Sequence, residues 1–108
     1  MIMEIARITL KSDAAEEFLA VATEHGLTIF KEATGCRGMQ LRRSIESPND
    51  YVMIVYWETL DNHLVDFRES EGLKRWRELT TPLYAAPTRI ENFEVAVEGF
   101  GVMEPASP

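Results

Sequence analysis

The chain predicts an α+β fold: a four-stranded antiparallel sheet with its helices on one face. Two observations lead there, and chain length bounds the answer. Apolar periodicities succeed one another in the order strand, helix, strand, strand, helix, strand. The run Tyr51 to Trp57 is apolar on both sides, with Tyr51, Met53, Val55 and Trp57 on one and Val52, Ile54 and Tyr56 on the other. An antiparallel strand with one wet face alternates apolar with polar residues. At 108 residues the chain is one domain. It has too little helix to cover both faces of a sheet, so a second copy is expected to cover the other.

Ile2 to Leu10 reads as the first strand. Ser12 and Asp13 offer N-caps, with Glu16 at capping-box spacing from Asp13. Ala15, Phe18, Leu19, Ala22, Ile29, Phe30 and Ala33 then recur at a helical period. Gly35 ends that helix in the left-handed conformation glycine adopts cheaply. Thr34 to Ser44 is a Gly-started second strand, Ser47-Pro48-Asn49-Asp50 a turn, and Tyr51 to Thr59 carries the third. Thr59 can cap a second helix bearing Leu60, His63, Leu64 and Phe67. Ser70-Glu71-Gly72 interrupts it, and Leu73, Trp76, Thr80, Leu83 and Tyr84 continue on one face. Pro82 and Pro87 bound its end. From Thr88 to Val97, Phe93, Val95 and Val97 alternate with Asn92, Glu94 and Ala96 as a fourth strand.

This order is the ferredoxin-like βαββαβ pattern. Right-handed crossovers place both helices on one face and leave the other bare, in agreement with the double-sided third strand. The domain is expected over residues 1–98. Residues 99–108, with two Gly and two Pro, read as a flexible tail draped on the partner.

A hydrophobic content of 45% argues against disorder. A net charge of −7 argues against nucleic acid and against an anionic membrane surface. The single Cys36 cannot close an internal disulfide and fits a reducing, cytoplasmic setting. The N-terminal run, with Glu4 and Arg7, is too short and polar for a signal peptide or a membrane span. His25 and His63 stand alone, without HxxxH or CxxC spacing. Gly35 and Gly38 open a strand rather than a phosphate-cradling helix. No metal, flavin or heme is therefore expected.

What remains is an aromatic, His-lined pocket between helices and sheet. Trp57 closes the third strand and His63 follows in the next helical turn. Phe67, Trp76 and Tyr84 lie on the helix face that looks back at the sheet. Phe67 reads first as core. Trp57, Trp76 and Tyr84 carry polar handles that need partners when buried, so they are candidate substrate-binding residues. His63 is the candidate base, while His25, near the buried stripe of the first helix, reads as structural.

The run from Gly35-Cys36-Arg37-Gly38 through Tyr56-Trp57-Glu58-Thr59-Leu60-Asp61-Asn62-His63 to Ser70-Glu71-Gly72-Leu73 resembles the antibiotic biosynthesis monooxygenase domain family. The likeness covers nearly the whole chain. It implies a dimeric α+β barrel, in which two four-stranded sheets pack together, and oxidation of quinols, anthrone-type polyketides or heme, often without a cofactor. Two departures shape the expectation. Many relatives carry Glu two residues before the Trp, where this chain has Val55. The heme-degrading branch uses an Asn in strand one and a His later in helix two. Here strand one has no Asn and His63 lies in the first turn, which disfavours heme degradation.

The leading expectation is a cofactor-independent monooxygenase in which a phenolic or quinol anion gives an electron to O₂. Trp57, Trp76 and Tyr84 would hold the ring and His63 would take the proton. An unperturbed phenol near ~10 and an imidazole near ~6.5 differ by roughly 3.5 pKa units, about 5 kcal/mol against transfer. The pocket must therefore stabilise the phenolate, a role open to Arg42 or Arg43 on strand two. The alternatives are a non-catalytic barrel binding a small hydrophobic molecule and a cofactor-free isomerase or cyclase.

Overall fold

The computed structural model describes residues 1–101. The remainder of the expected tail, residues 102–108, lies outside the described residues. Four strands, β1 (Ile2–Thr9), β2 (Cys36–Arg43), β3 (Asp50–Trp57) and β4 (Arg89–Phe93), form one antiparallel sheet in the order β2-β3-β1-β4. This is the ferredoxin-like arrangement. The helices cover one face. Phe18, Phe30, Phe67 and Trp76 pack there against Ala6, Ile8, Tyr51, Met53, Val55 and Trp57. Along β3 the alternate residues Tyr51, Met53, Val55 and Trp57 are buried, while Val52, Ile54 and Tyr56 are half-buried on the other face. Cross-strand pairing sets Met3 and Phe93 on that face beside Tyr56, and Ile5 beside Ile54. Among the described residues no helix covers this apolar band.

The first helical segment runs as α1 (Ala15–Val21), a π-helical stretch (Ala22–Gly26) and α2 (Leu27–Lys31). The expected capping box at Asp13 does not form. Asp13 takes φ 65°, and Ala14 at the N-cap makes no side-chain cap bond. An Asp tolerates the left-handed region better than most residues, so the chain turns there instead of capping. At Gly26 a Cβ would lie 2.7 Å from Trp76 Cζ3. The missing side chain lets helix and indole meet.

The second segment begins at Thr59. Asn62 N donates to Thr59 Oγ1 (3.2 Å) and Thr59 N donates to Asn62 Oδ1 (3.0 Å). This reciprocal cap resembles a capping box with Asn in place of Glu. A π-helical stretch (Asn62–Phe67) follows. Ser70, expected as an interruption, starts the next helix, α3 (Glu71–Thr80), by accepting from Leu73 N at 3.0 Å. Pro82 sits in the 3₁₀ turn Thr81–Leu83 that ends it. The fourth strand stops at Phe93 rather than Val97. Its last partner is Met3, near the start of β1, so no neighbour remains to pair with.

Gly35 does not stop the helix as expected: α2 ends at Lys31 with Glu32 as its C-cap. The φ of +76° at Gly35 serves the following turn, where Cys36 N donates to Ala33 O at 3.1 Å, and a Cβ there would collide with the Asn62 amide. Gly35→Ala is expected to lose about 2–3 kcal/mol, combining left-handed strain with a displaced helix cap. Urea unfolding of the two proteins measures it, and an unchanged midpoint would show that neither effect operates.

Candidate acid–base cavity

β1 and β3 pair Glu4 with Val55 and Ile2 with Trp57, so Glu4 and Trp57 are diagonal neighbours on the helix-covered face. β4 adds Asn92 opposite Glu4 on its other side. The Thr59 cap starts the turn that swings His63 over these three. Its ring stacks on Trp57 with centroids 5.4 Å apart and planes 3° from parallel.

Polar contacts join all four residues. The Trp57 indole N–H donates to Glu4 Oε1 at 2.9 Å. His63 Nε2 lies 3.3 Å from the same oxygen. His63 Nδ1 lies 2.8 Å from Asn92 Oδ1. An amide oxygen only accepts, so Nδ1 is the donor and Nε2 is left facing the carboxyl. Glu4 is 2% exposed and His63 9%. Burial pushes the Glu4 carboxyl above its ordinary value, opposed in part by His63 and by the Trp57 N–H. Glu4 and His63 are thus placed to share one proton at the floor of a hollow.

That hollow has a volume of about 770 Å³ and lies between sheet and helices. Glu4, His63 and Asn92 reach it, with Phe30, Met53 and Trp76 among its apolar walls. Of the residues singled out in the sequence, His63, Phe67, Trp76 and Tyr84 line it. Trp57 does not. It is wholly buried beneath His63 and meets the cavity only through the groups it holds. Arg42 lies on the other face of the sheet, opposite Val52, with its Nε donating to Gln40 Oε1 at 2.8 Å. The register puts it there, since its neighbours Leu41 and Arg43 pair with the buried Met53 and Tyr51. Arg43 is spent on the Tyr51 hydroxyl at 2.7 Å. His25 is half-buried and is not a lining residue.

Glu4 and Asn92 were missed in the sequence. Glu4 had a signal: it falls on the stripe of Ala6 and Ile8, a carboxyl at an inward position. Asn92 had none, because alternation in β4 does not say which set faces the helices. The carboxyl that Val55 lacks is supplied by its direct cross-strand neighbour, Glu4. An amide likewise reaches the site from β4 rather than from β1.

The Glu4 shift has a measurable consequence. A carboxyl raised in the folded state contributes stability that is fully present below its ordinary value of 4.5 and is lost as pH rises through the folded value. Glu4→Gln keeps an acceptor for Trp57 and never ionises. The variant is expected to gain stability relative to wild type as pH climbs from about 4.5, then to level off. Urea midpoints across pH 4–8 read this, and parallel curves would show that Glu4 ionises as freely folded as unfolded.

Fold and site together define a small ferredoxin-like domain with a buried Glu–His pair at a cavity between sheet and helices. The chain belongs to the antibiotic biosynthesis monooxygenase family, whose sequence model matches residues 1–79. A crystal structure from Bordetella bronchiseptica carrying the same family name is 38% identical, with a TM-score of 0.84 over 89% of this chain and 97% of that one. One from Caulobacter crescentus, 24% identical, shares the fold with a TM-score of 0.77 over 90% of each chain. YczJ of Bacillus subtilis strain 168, an uncharacterised protein, is 28% identical over 94 residues, 87% of this chain and 98% of its own. No helix among the described residues is long and apolar enough to cross a membrane.

Proposed function

We propose that this protein is a cofactor-independent monooxygenase oxidising a small phenolic, quinol or polyketide-type aromatic compound. The observation that carries the reading is the Glu4–His63–Asn92 chain on the floor of an aromatic-walled cavity. Such chemistry needs a proton removed, a ring held and water excluded. The Glu4–His63 pair, oriented by Asn92, takes the proton as one unit. The substrate anion gives one electron to O₂, and the radical pair joins as a C–O bond. The peroxide anion so formed takes back the first proton, and the hydrogen on the same carbon then passes to the base as the O–O bond breaks. One oxygen stays as a carbonyl, and the other leaves as water with the proton returned by the base. Trp76, Tyr84 and Phe67 hold the ring. An oxygen electrode tests the reading with hydroquinones and anthrones and no added cofactor. Uptake supports it, whereas binding without uptake favours a sequestering barrel.

The same reading includes a homodimer through the bare sheet face. Met3, Ile5, Ile54, Tyr56 and Phe93 form a band there that water would otherwise wet. An interface between permanent partners buries upward of about 2,000 Å². Sedimentation at micromolar concentration is expected to give twice the chain mass, and Ile54→Asp to reduce it. A stable wild-type monomer would remove the dimer and the reason offered for the double-sided strand.

A further inference from the structure

The cavity carries two guanidinium groups that the proposed oxidation does not use, those of Arg68 and Arg77. Their placement follows helical spacing. His63, Leu64, Phe67 and Arg68 line the cavity from one stretch, and Leu73, Trp76, Arg77 and Thr80 from α3. Each set falls on one helical stripe. Arg77 therefore shares the cavity-facing side with Trp76, whereas Lys74 and Arg75 are exposed positions outside the lining.

Both arginines are free of acidic partners among the described residues, where the ion pairs are Arg37–Glu58 and Glu4–His63. The chain carries 18 acidic against 11 basic side chains, so a cavity lined by two cations and one acid runs against its overall balance. Glu4 is the one acid among the lining residues. It is already engaged by Trp57 and His63. The site is thus polarised, with the Glu4–His63 pair and the Asn92 amide at the floor, apolar rings along the walls, and exposed guanidinium groups bordering it.

We propose that the ligand of this cavity is an aromatic hydroxy acid. Its ring hydroxyl meets the Glu4–His63 pair, and its carboxylate is held by Arg68 and Arg77. The guanidinium fork matches a carboxylate in two parallel hydrogen bonds, and that planar fit favours arginine over lysine in this role. The volume of about 770 Å³ lies within the range of small-molecule sites, roughly 300–1,000 Å³, and accommodates a fused ring system. The proposal rests on the reading of this cavity as the substrate site and adds the substrate's charge.

Calorimetric titration without turnover, under nitrogen, tests it with two probes that differ by one group: 6-hydroxy-2-naphthoate and 2-naphthol. Wild type is expected to bind the naphthoate roughly 10–100-fold more tightly, the worth of a charge-assisted hydrogen bond or two. The double variant Arg68→Gln/Arg77→Gln should lose that preference while its 2-naphthol affinity stays within about twofold. Arg75→Gln, which removes the same unit charge from the outer side of α3, should keep the preference. Equal affinities in wild type, binding of neither probe, a preference that survives the double variant, or its equal loss in Arg75→Gln would each overturn the proposal. Because no oxygen is consumed, the result is separable from the oxidation. A preference without oxygen uptake would leave the ligand class standing and remove the monooxygenase. Uptake with neutral quinols but no preference would do the reverse.

Discussion

His63→Ala is expected to lower substrate-driven oxygen uptake by about 10²–10⁴-fold, the usual worth of a positioned general base. Ring binding should survive, because Phe67, Trp76 and Tyr84 remain in the walls. Glu4→Gln should lower the rate as well, since it removes the carboxyl that faces Nε2 across 3.3 Å. The two effects are not expected to add. Residues acting as one proton-handling unit lose most of their effect when either is removed. The double variant should therefore fall little below the slower single one. Additive losses would show two independent roles. Unchanged uptake in both single variants would take the pair out of the mechanism.

Trp57→Ala is expected to have the largest effect on stability. The indole is completely buried and packs against the rings of Phe67 and His63. Truncating a buried aromatic costs about 3–5 kcal/mol, a large share of the roughly 5–15 kcal/mol that holds a domain together. Trp57→Phe separates the two jobs of the side chain. It keeps most of the packing but removes the N–H that Glu4 Oε1 accepts at 2.9 Å. Losing one hydrogen bond to a buried carboxyl costs about 1–3 kcal/mol, so Phe should fold, sit between Ala and wild type in urea, and still lose oxygen uptake. Full activity in Trp57→Phe would reduce Trp57 to packing alone.

The order of elements was readable because periodicity is a local property. Strand alternation and the helical stripe of Phe18 and Phe30 are written in consecutive residues and need no partner to be seen. Thr59 as a cap was equally local, since it acts on backbone groups within a few residues, and so was the left-handed Gly35, although it serves the turn into β2 rather than the helix stop at Glu32. Asp13 shows the limit: a capping pattern predicts a cap only if the backbone enters from the extended region, and here it takes φ 65°.

The site depends on distant parts of the chain. Glu4 and Trp57 are 53 residues apart and His63 and Asn92 are 29 apart. Their meeting is decided by the order β2-β3-β1-β4 and by the register of each pair. A slip of one residue would send Glu4 and Asn92 to the opposite face. By itself, the sequence determined the ferredoxin-like scaffold, the double-sided β3, and His63 with its surrounding aromatics as the chemically promising group. Only the tertiary structure decided that Trp57 lies beneath the cavity, that Arg42 faces away from it, and that Glu4 and Asn92 complete it. Local pattern states which residues alternate, whereas the pairing of remote strands sets which face of each is turned toward the helices.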